Sequence, residues 1–584
     1  MIDGSQYCSV VDLNIEEGKE SDVMHRRGMG IIVLVGSLVI LSEKVTWAQV
    51  GPERSAAMKQ TVERVKAFAE RMPESARSML SSGALNLINL AERWDRIEPY
   101  LRQMRPASRP SDRPTVPPDV EEALAGRILS PKQVSNPAID VLSSRFAGFT
   151  QSETSTAWCG NNVVIGFNDS GSYLETYFSL AGLSFNGVAR STNKGRSFTD
   201  LGFLNPGPVV TDFLAGDPVV ACSDPNTFYY ASLFDRGATS DISVSKSIDG
   251  GAIFGNPISA VSKSIATHFL DKEWIAVDPT SPNRLFVTYT DFDLSGAVCG
   301  FNAGDPILRT AIELVRSVDG GVSWGPPVVI SEVCDLAGVQ GSQVAVGPGG
   351  EVYVAWEAFA ASGASEIDIR KSTDNGSTFG PLVKVNDMIC AGSCARLQGN
   401  FRSSEFPTLA VDRSGTSTNG YVYIAWNDGR NLTVPDFWVG AYGYTDILFS
   451  RSTDGGATWL PPVRVNDNPE PLSSGLGTDQ YQPGIAVDKA GKIGVCFYDR
   501  RRDPSNFLID WECASSKNAG ISWKNKKITK TNFPAVPSQD LLLNSRYMGD
   551  YDGLASDFTK TNSGFIGAWG DNSLGNPDIK AGKF

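Results

Sequence analysis

One eight-residue pattern recurs six times along this chain: Ser, any residue, Asp or Asn, any residue, Gly, two residues, then Trp or Phe. The copies run Ser191-Thr-Asn193-Lys-Gly195 to Phe198, Ser247-Ile-Asp249-Gly-Gly251 to Phe254 and Ser317-Val-Asp319-Gly-Gly321 to Trp324. Then come Ser372-Thr-Asp374-Asn-Gly376 to Phe379, Ser452-Thr-Asp454-Gly-Gly456 to Trp459 and Ser516-Lys-Asn518-Ala-Gly520 to Trp523. Their spacing averages about 65 residues, which suits a four-stranded β-blade with generous loops. A unit of that size cannot bury its apolar face alone, so the copies must stack.

The pattern reads as a hairpin turn. An Asp or Asn side chain accepts hydrogen bonds from the amides just ahead of it, and Gly supplies a positive φ without a Cβ clash. The aromatic ring then folds back over the hairpin and seals the packing between strands. Asn193, Asp249, Asp319, Asp374, Asp454 and Asn518 are therefore expected to be structural.

A second periodic signal gives the blade number. Strand pairs such as Gly341-Ser-Gln-Val-Ala-Val346 with Glu351-Val-Tyr-Val-Ala-Trp356 start near Glu153, Asp217, Lys272, Gly341, Glu405, Gln482 and Asp550. That makes seven pairs, one more than the hairpin motifs. The last pair runs into Asp578–Phe584 and the chain stops; its missing outer strand is expected from Arg127–Asn136, closing the ring without an open edge. The expected fold is an all-β propeller of four-stranded blades, seven in number with six as the alternative, closed by an N-terminal strand and preceded by a short α-helical segment.

Four regions follow: a leader (1–48), a helical segment (49–104), a Pro/Arg-rich linker (105–118) and the propeller (119–584). His25, Arg26 and Arg27 precede an apolar run from Gly30 to Leu41, with a small-residue cleavage site near Thr46-Trp47-Ala48. This reads as a signal peptide, with translation starting at Met1 or Met24. Met58, Val62, Val65, Phe68 and Met72, then Leu87, Leu90, Trp94, Ile97 and Leu101, recur at helical spacing, punctuated by Pro73 and Gly83. Residues 53–104 either pack on the main domain or mediate self-association or envelope docking. Beyond the leader's Cys8, eight cysteines remain, an even number suited to disulfides in an oxidising compartment; Cys496–Cys513 is the favoured pair, and Cys390 with Cys394 could close a small loop. The expected location is secreted, periplasmic or cell-envelope.

The net charge of −13 argues against nucleic acid as a partner. Two histidines, His25 and His268, make a histidine-rich metal site or a Ser-His-Asp hydrolase a poor fit. No cofactor is expected; a Ca²⁺ held by carboxylates is the one ion worth testing for, without an EF-hand spacing to support it.

The six motifs resemble the Asp-box, or BNR, repeats of the sialidase superfamily, over about residues 127–584. The resemblance implies a propeller, and a glycan or other extracellular ligand on the face opposite the Asp-box turns. It also implies a constellation of three arginines that clamp a substrate carboxylate, a tyrosine nucleophile paired with a glutamate, and an acid/base aspartate. Sialidases have six blades, and their Phe/Tyr-Arg-Ile-Pro motif is missing here: Arg145-Phe-Ala does not match, and Phe401-Arg402-Ser-Ser-Glu405 lies in the fifth repeat. The stretch Arg546-Tyr547-Met-Gly-Asp550-Tyr551 falls near the family's tyrosine. The candidates are thus Tyr547, Glu405 and Asp550 for catalysis, with Arg402, Arg430, Arg500, Arg546 and Trp438 for binding. If the chain is an enzyme, glycoside hydrolysis is its class; a non-catalytic interaction or assembly scaffold is the alternative. More broadly, inner-strand starts (Glu153, Asp217, Glu273, Gln343, Gln482) and second-strand ends (Asp169, Asp235, Asp291, Glu357, Asp428, Asp499, Asp571) should gather on that face.

Overall fold

The computed structural model describes residues 47–101, 131–135 and 149–584, the last apart from short gaps of which 391–396, 431–444 and 470–476 are the longest. The expected linker and the leader as far as residue 46 lie outside the described residues, while Trp47 and Ala48, expected in the leader, open the first helix. Seven antiparallel sheets form a seven-bladed β-propeller, each blade built on four strands in simple up-and-down order. The innermost strands are Gln151–Cys159, Phe213–Cys222, His268–Val277, Gly338–Val346, Thr408–Val411, Gln480–Val487 and Leu554–Ala555, defining blades 1 to 7. Ring closure follows the expectation: Lys132–Gln133 pairs with Asp578–Lys583 as the outer strand of blade 7, so no blade edge is left open there. The alternative of six blades falls away.

The antiparallel register fixes which residues share an end of the molecule. In blade 1, Gln151 faces Asp169 and Asn168 faces Asn186 at one end, while Cys159 faces Asn162 and Val163 faces Ser191 at the other. Hairpin motifs begin at the last residue of the third strand, so they all occupy the second end. Their local geometry is repeated: each Ser hydroxyl donates to the Asp or Asn Oδ1, at 2.7 Å in Ser247–Asp249 and Ser317–Asp319. The Gly amide donates back to that hydroxyl, and amides three or four residues on donate to Oδ1. The motif glycines all have positive φ, from 75° at Gly376 to 90° at Gly456. Gly251 also abuts Val164 of the preceding blade, and a Cβ there would overlap it. The motif therefore shapes the turn and seats it against its neighbour.

Disulfides tie Cys159 to Cys222 across blades 1 and 2, Cys299 to Cys334, and Cys496 to Cys513 on paired strands of blade 6. Cys390 is disulfide-bonded as well, and Cys394 lies outside the described residues. His268 pairs with Asp291 at 3.0 Å, a structural use of the one histidine in the propeller. Among the described residues no helix is long and apolar enough to cross a membrane.

Helices α1 (Trp47–Arg71), α2 (Glu74–Met79), α3 (Ser82–Glu92) and α4 (Trp94–Leu101) precede the propeller. The helical periodicity is correct, but one boundary differs: Gly83 sits in the first turn of α3, and the chain breaks at Pro73 and at Leu80–Ser81. Met58, Val62, Val65, Phe68 and Met72 are buried in the same core cluster as blades 2 and 3, with Phe68 stacked on Phe269 at 4.4 Å. Arg54, fully buried, donates to the carbonyls of Val210, Thr176 and Ala181, and Arg64 pairs with Asp235 at 3.5 Å. The segment is thus part of the folded body.

Candidate functional site

At the end of the blades opposite the hairpin motifs, five inner strands carry the same defect. Their pairing slips near Glu153, Asp217, Lys272, Gly341 and Gln482, and each of these residues has a positive φ, from 53° to 69°. Four of the five are not glycine. A left-handed residue inside a strand costs about 1–3 kcal/mol and survives only where the surroundings impose it. The bulge turns side chains toward the central channel, where they meet other blades. Glu153 accepts from the Asp550 amide at 2.8 Å, and Gln482 donates to the Gly549 carbonyl. Lys272 places its ammonium 3.7 Å from the centre of the Tyr551 ring and 5.1 Å from that of Trp274.

Into this mouth the chain inserts its own turn between α2 and α3. Leu80 accepts from Arg402 Nη2 at 2.6 Å. Ser81 donates its amide (2.8 Å) and its hydroxyl (2.6 Å) to Asp271, and the Ser82 amide donates to Asp550 at 2.6 Å. Gly83 lies so close to Asp217 that a Cβ would overlap its Oδ1. Four consecutive residues therefore meet four different parts of the ring. Gln340 of blade 4 steadies Asp271 at 2.8 Å, and Asn86 and Asn89 of α3 bond the backbone of 542–544.

Burial governs the electrostatics. It pushes the carboxyl of Glu153 well above the usual range, helped by the charges of Asp217 and Asp550. Asp217 is pushed up to about 7 by burial and then by Asp271, and Glu273 is raised by burial and then by Asp217. Glu357 rises for the same reason, with Glu405 as the adjacent charge. Carboxyls of this kind keep their protons near neutrality and can donate as well as accept.

The sequence-derived candidates separate into groups. Asp550 lies at the mouth, 3.6 Å from Arg402 and accepting from Ser404 Oγ at 2.9 Å. Tyr547 is buried; its Oη accepts from Ser152 Oγ (2.7 Å) and Asn168 Nδ2 (3.0 Å), and Asn168 also donates to Glu153. The tyrosine thus neighbours Glu153, while Glu405, fully buried, neighbours Glu357. Burial, then the charge of Glu153, raises Tyr547 well above its ordinary value.

Of the arginines, only Arg402 reaches the mouth. Arg430 grips Asp428 at 2.8 Å, and Arg500 is buried against Asp479 (3.4 Å) with Phe401 and Tyr481 beneath it. Arg546 is exposed, and Trp438 lies outside the described residues. The second-strand ends act locally. Asp169, Asp235, Asp428, Asp499 and Asp571 each accept the backbone amide two residues on, forming Asx turns. Those carboxylates solvate and shape strand ends, so the ring expected from them narrows to the inner-strand starts. In blades 3 and 4 the bulged position is Lys272 and Gly341, beside the expected Glu273 and Gln343.

Sequence reasoning missed Asp271, Asn168, Gln340 and the Leu80–Gly83 turn. A cleft of about 30 Å³ opens beside Tyr547, lined by Ser152, Tyr498, Phe533 and Met548. That holds a water, not a sugar. Among the described residues no group of three or more His, Cys, Asp or Glu side chains is arranged to hold a metal ion.

No family model matches the chain, and a search of curated proteins gives no match. Solved structures that resemble it include a Hadza microbial sialidase (14% identity, 72% of this chain and 76% of the other, TM-score 0.38). An α-L-arabinofuranosidase from Fusarium graminearum aligns at 11% identity over 79% of this chain and 98% of its own, with TM-score 0.42. Trypanosoma rangeli sialidase aligns at 11% over 78% and 57%, with TM-score 0.37. Such distant likeness concerns the propeller architecture alone.

Proposed function

We propose that this chain is an exported propeller that binds glycans, or another extracellular ligand, at the channel mouth opposite the hairpin motifs. The observation that carries the reading is convergence. Asp217, Asp271, Arg402 and Asp550 arrive from different parts of the ring and enclose one four-residue segment, with Glu153 behind them holding the Asp550 amide. Carboxyls with an arginine, backed by buried aromatic rings, form the chemistry that holds hydroxyl-rich ligands. The disulfides suit an oxidising compartment, in keeping with a leader that directs export.

If the site is catalytic, glycoside hydrolysis is the reaction it suits. Tyr547 would be the nucleophile, with Glu153 rather than Glu405 as the nearby carboxyl, and Asp550 the acid/base. A non-catalytic scaffold is the second reading, supported by the engagement of Arg430 and Arg500 in their own ion pairs, which leaves Arg402 without the two companions of an arginine clamp. The apolar faces that docking through residues 53–104 would use are turned onto the propeller. The function proposed here requires no cofactor.

The test is turnover of a panel of fluorogenic glycosides, a sialoside included, by the purified protein beside Tyr547→Phe, Glu405→Gln and Asp550→Asn. Turnover lost in Tyr547→Phe and Asp550→Asn supports the enzyme. Turnover kept in all three moves the site elsewhere, and none on any substrate favours the scaffold.

A further inference from the structure

We infer that the Leu80–Gly83 turn is a built-in occupant of the channel mouth, standing where an uncharged, hydroxyl-rich ligand binds, so that ligand binding and docking of α2–α3 exclude each other. This rests on the ligand-binding reading above and adds both the ligand class and its control.

The contacts of the turn are those a sugar makes. Asp271 accepts one hydroxyl and one amide, Asp550 accepts an amide, and Arg402 donates to a carbonyl oxygen. A sugar hydroxyl can serve either role, donating to the carboxylates or accepting from the guanidinium. Backbone and serine atoms reproduce that pattern, as an occupant of a preformed site would.

The seat is not built for the turn alone. Nε and Nη1 of Arg402 are buried and make no hydrogen bond, and the oxygens of Asp217 are buried with no donor beyond the Ser81 hydroxyl, which Asp271 already takes. Buried polar groups are normally satisfied, so these mark demand that the docked turn does not meet. All belong to the mouth, and Asp217 is fully buried against Gly83, a residue with no side chain to offer it.

Charge decides the ligand class. The Lys272 ammonium is enclosed by Tyr551 and Trp274, so among the described residues the one cation that the turn meets is Arg402, set among the carboxyls of Asp217, Asp271 and Asp550. A ligand bearing a carboxylate would meet more repulsion than attraction there. Burial keeps Glu273 and Glu357 toward their neutral forms, which suits a neutral partner that both donates and accepts. Atoms of the turn already occupy Asp271, Asp550 and Arg402 and abut Asp217, so a sugar must displace the turn to reach them.

The experiment is amide hydrogen exchange on the full chain, paired with titration of three probes: arabinohexaose and maltohexaose as neutral sugars, and sialyllactose as an anionic one. Gly83→Leu drives a side chain into Asp217 and should expel the turn. Exchange of the Ser82–Glu92 amides is expected to quicken at least tenfold, with the Gln480–Val487 strand unchanged. Affinity for at least one neutral probe should rise about tenfold or more, and sialyllactose should gain nothing. If Gly83→Leu also unprotects Gln480–Val487, the double variant Asn86→Ala/Asn89→Ala, which loosens α3 without touching the mouth, carries the same measurement. Ser82–Glu92 amides that exchange no faster in either variant would overturn the inference, as would an equal gain for sialyllactose. Release of α3 with no gain for any probe would instead sink the ligand-binding function itself.

Discussion

At the hairpin end of the blades, Asp319, Asp374 and Asp454 stand near solvent, and hydroxyls of Ser323, Thr378 and Thr458, with backbone amides, hold their carboxyls well below the usual range. At the channel end, Glu153, Asp217, Glu273 and Glu357 are buried and pushed the other way. The same chemical group, repeated around the same ring, is satisfied locally at one end, whereas at the other it finds its partners only across blades, as Glu153 does, or falls short of them, as Asp217 does. Local satisfaction is what a structural residue achieves, because its donors lie within four residues of it in every repeat. Unmet demand, assembled from several blades, is what a ligand site retains.

The pH dependence of stability is the broadest way to break that comparison, and its effect should be the largest. Asp169 and Asp217 are pushed up to about 7 and Asp552 to about 8, in each case first by burial. A carboxyl whose folded value lies above its unfolded one stabilises fully below the unfolded value. That stability is lost as pH rises through the folded value. The hairpin carboxyls have the opposite sign, and their contribution fails only as pH falls below about 4. Stability should therefore peak near pH 4 and fall from about pH 4 to 8, with the melting temperature dropping on the order of 5 °C or more. A melting temperature flat or rising over that range would mean the channel carboxyls are hydrated and ionised.

Next in size is Gly251→Ala, which tests the hairpin end. A φ of 84° and the abutting Val164 leave no room for a Cβ, so the substitution should cost about 2–4 kcal/mol in denaturant unfolding. A loss below about 0.5 kcal/mol would show that the turn does not seat against blade 1 as described.

How far each end was legible follows from the range of its interactions. The motif Ser247-Ile-Asp249-Gly-Gly251 closes its hydrogen bonds within six residues, so the turn, the role of Asp249 and the blade repeat can all be read from residue order. Ring closure was legible too, because Lys132–Gln133 lies within Arg127–Asn136, the stretch expected to supply the missing outer strand. The channel mouth was only half legible. Asp217 and Glu153 stand at strand starts and could be placed, but the bulge that aims them leaves no signature in residue type: the equivalent positions hold Glu, Asp, Lys, Gly and Gln. The docking of Ser81 on Asp271 joins residues 190 apart, and that of Ser82 on Asp550 joins residues 468 apart. Nothing in the helical periodicity of 53–101 says which face of the propeller it covers.

Two amide substitutions sharpen the comparison with smaller effects. Glu273→Gln removes an ionisable group whose two oxygens have no partner beyond the residue's own amide, so at pH 8.5 it should stabilise by about 1–3 kcal/mol. At pH 4, where the native carboxyl is neutral, the gain should vanish, and a gain that is the same at both pH values would point to packing instead. Asp319→Asn makes the same change at the hairpin end and should leave the melting temperature unmoved. The chain already contains the precedent. Asn193 and Asn518 occupy the equivalent position in blades 1 and 6, accept from the same serine hydroxyl at 2.9 and 2.8 Å, and receive the same forward amide. The asparagines keep the Oδ1 acceptor and reverse the second contact, their Nδ2 donating to Ser197 and Ser522 where Asp319 Oδ2 accepts from Ser323, so the turn closes with or without the charge. A clear loss in Asp319→Asn would therefore assign the hairpin carboxylates a role that the two asparagine repeats do not share.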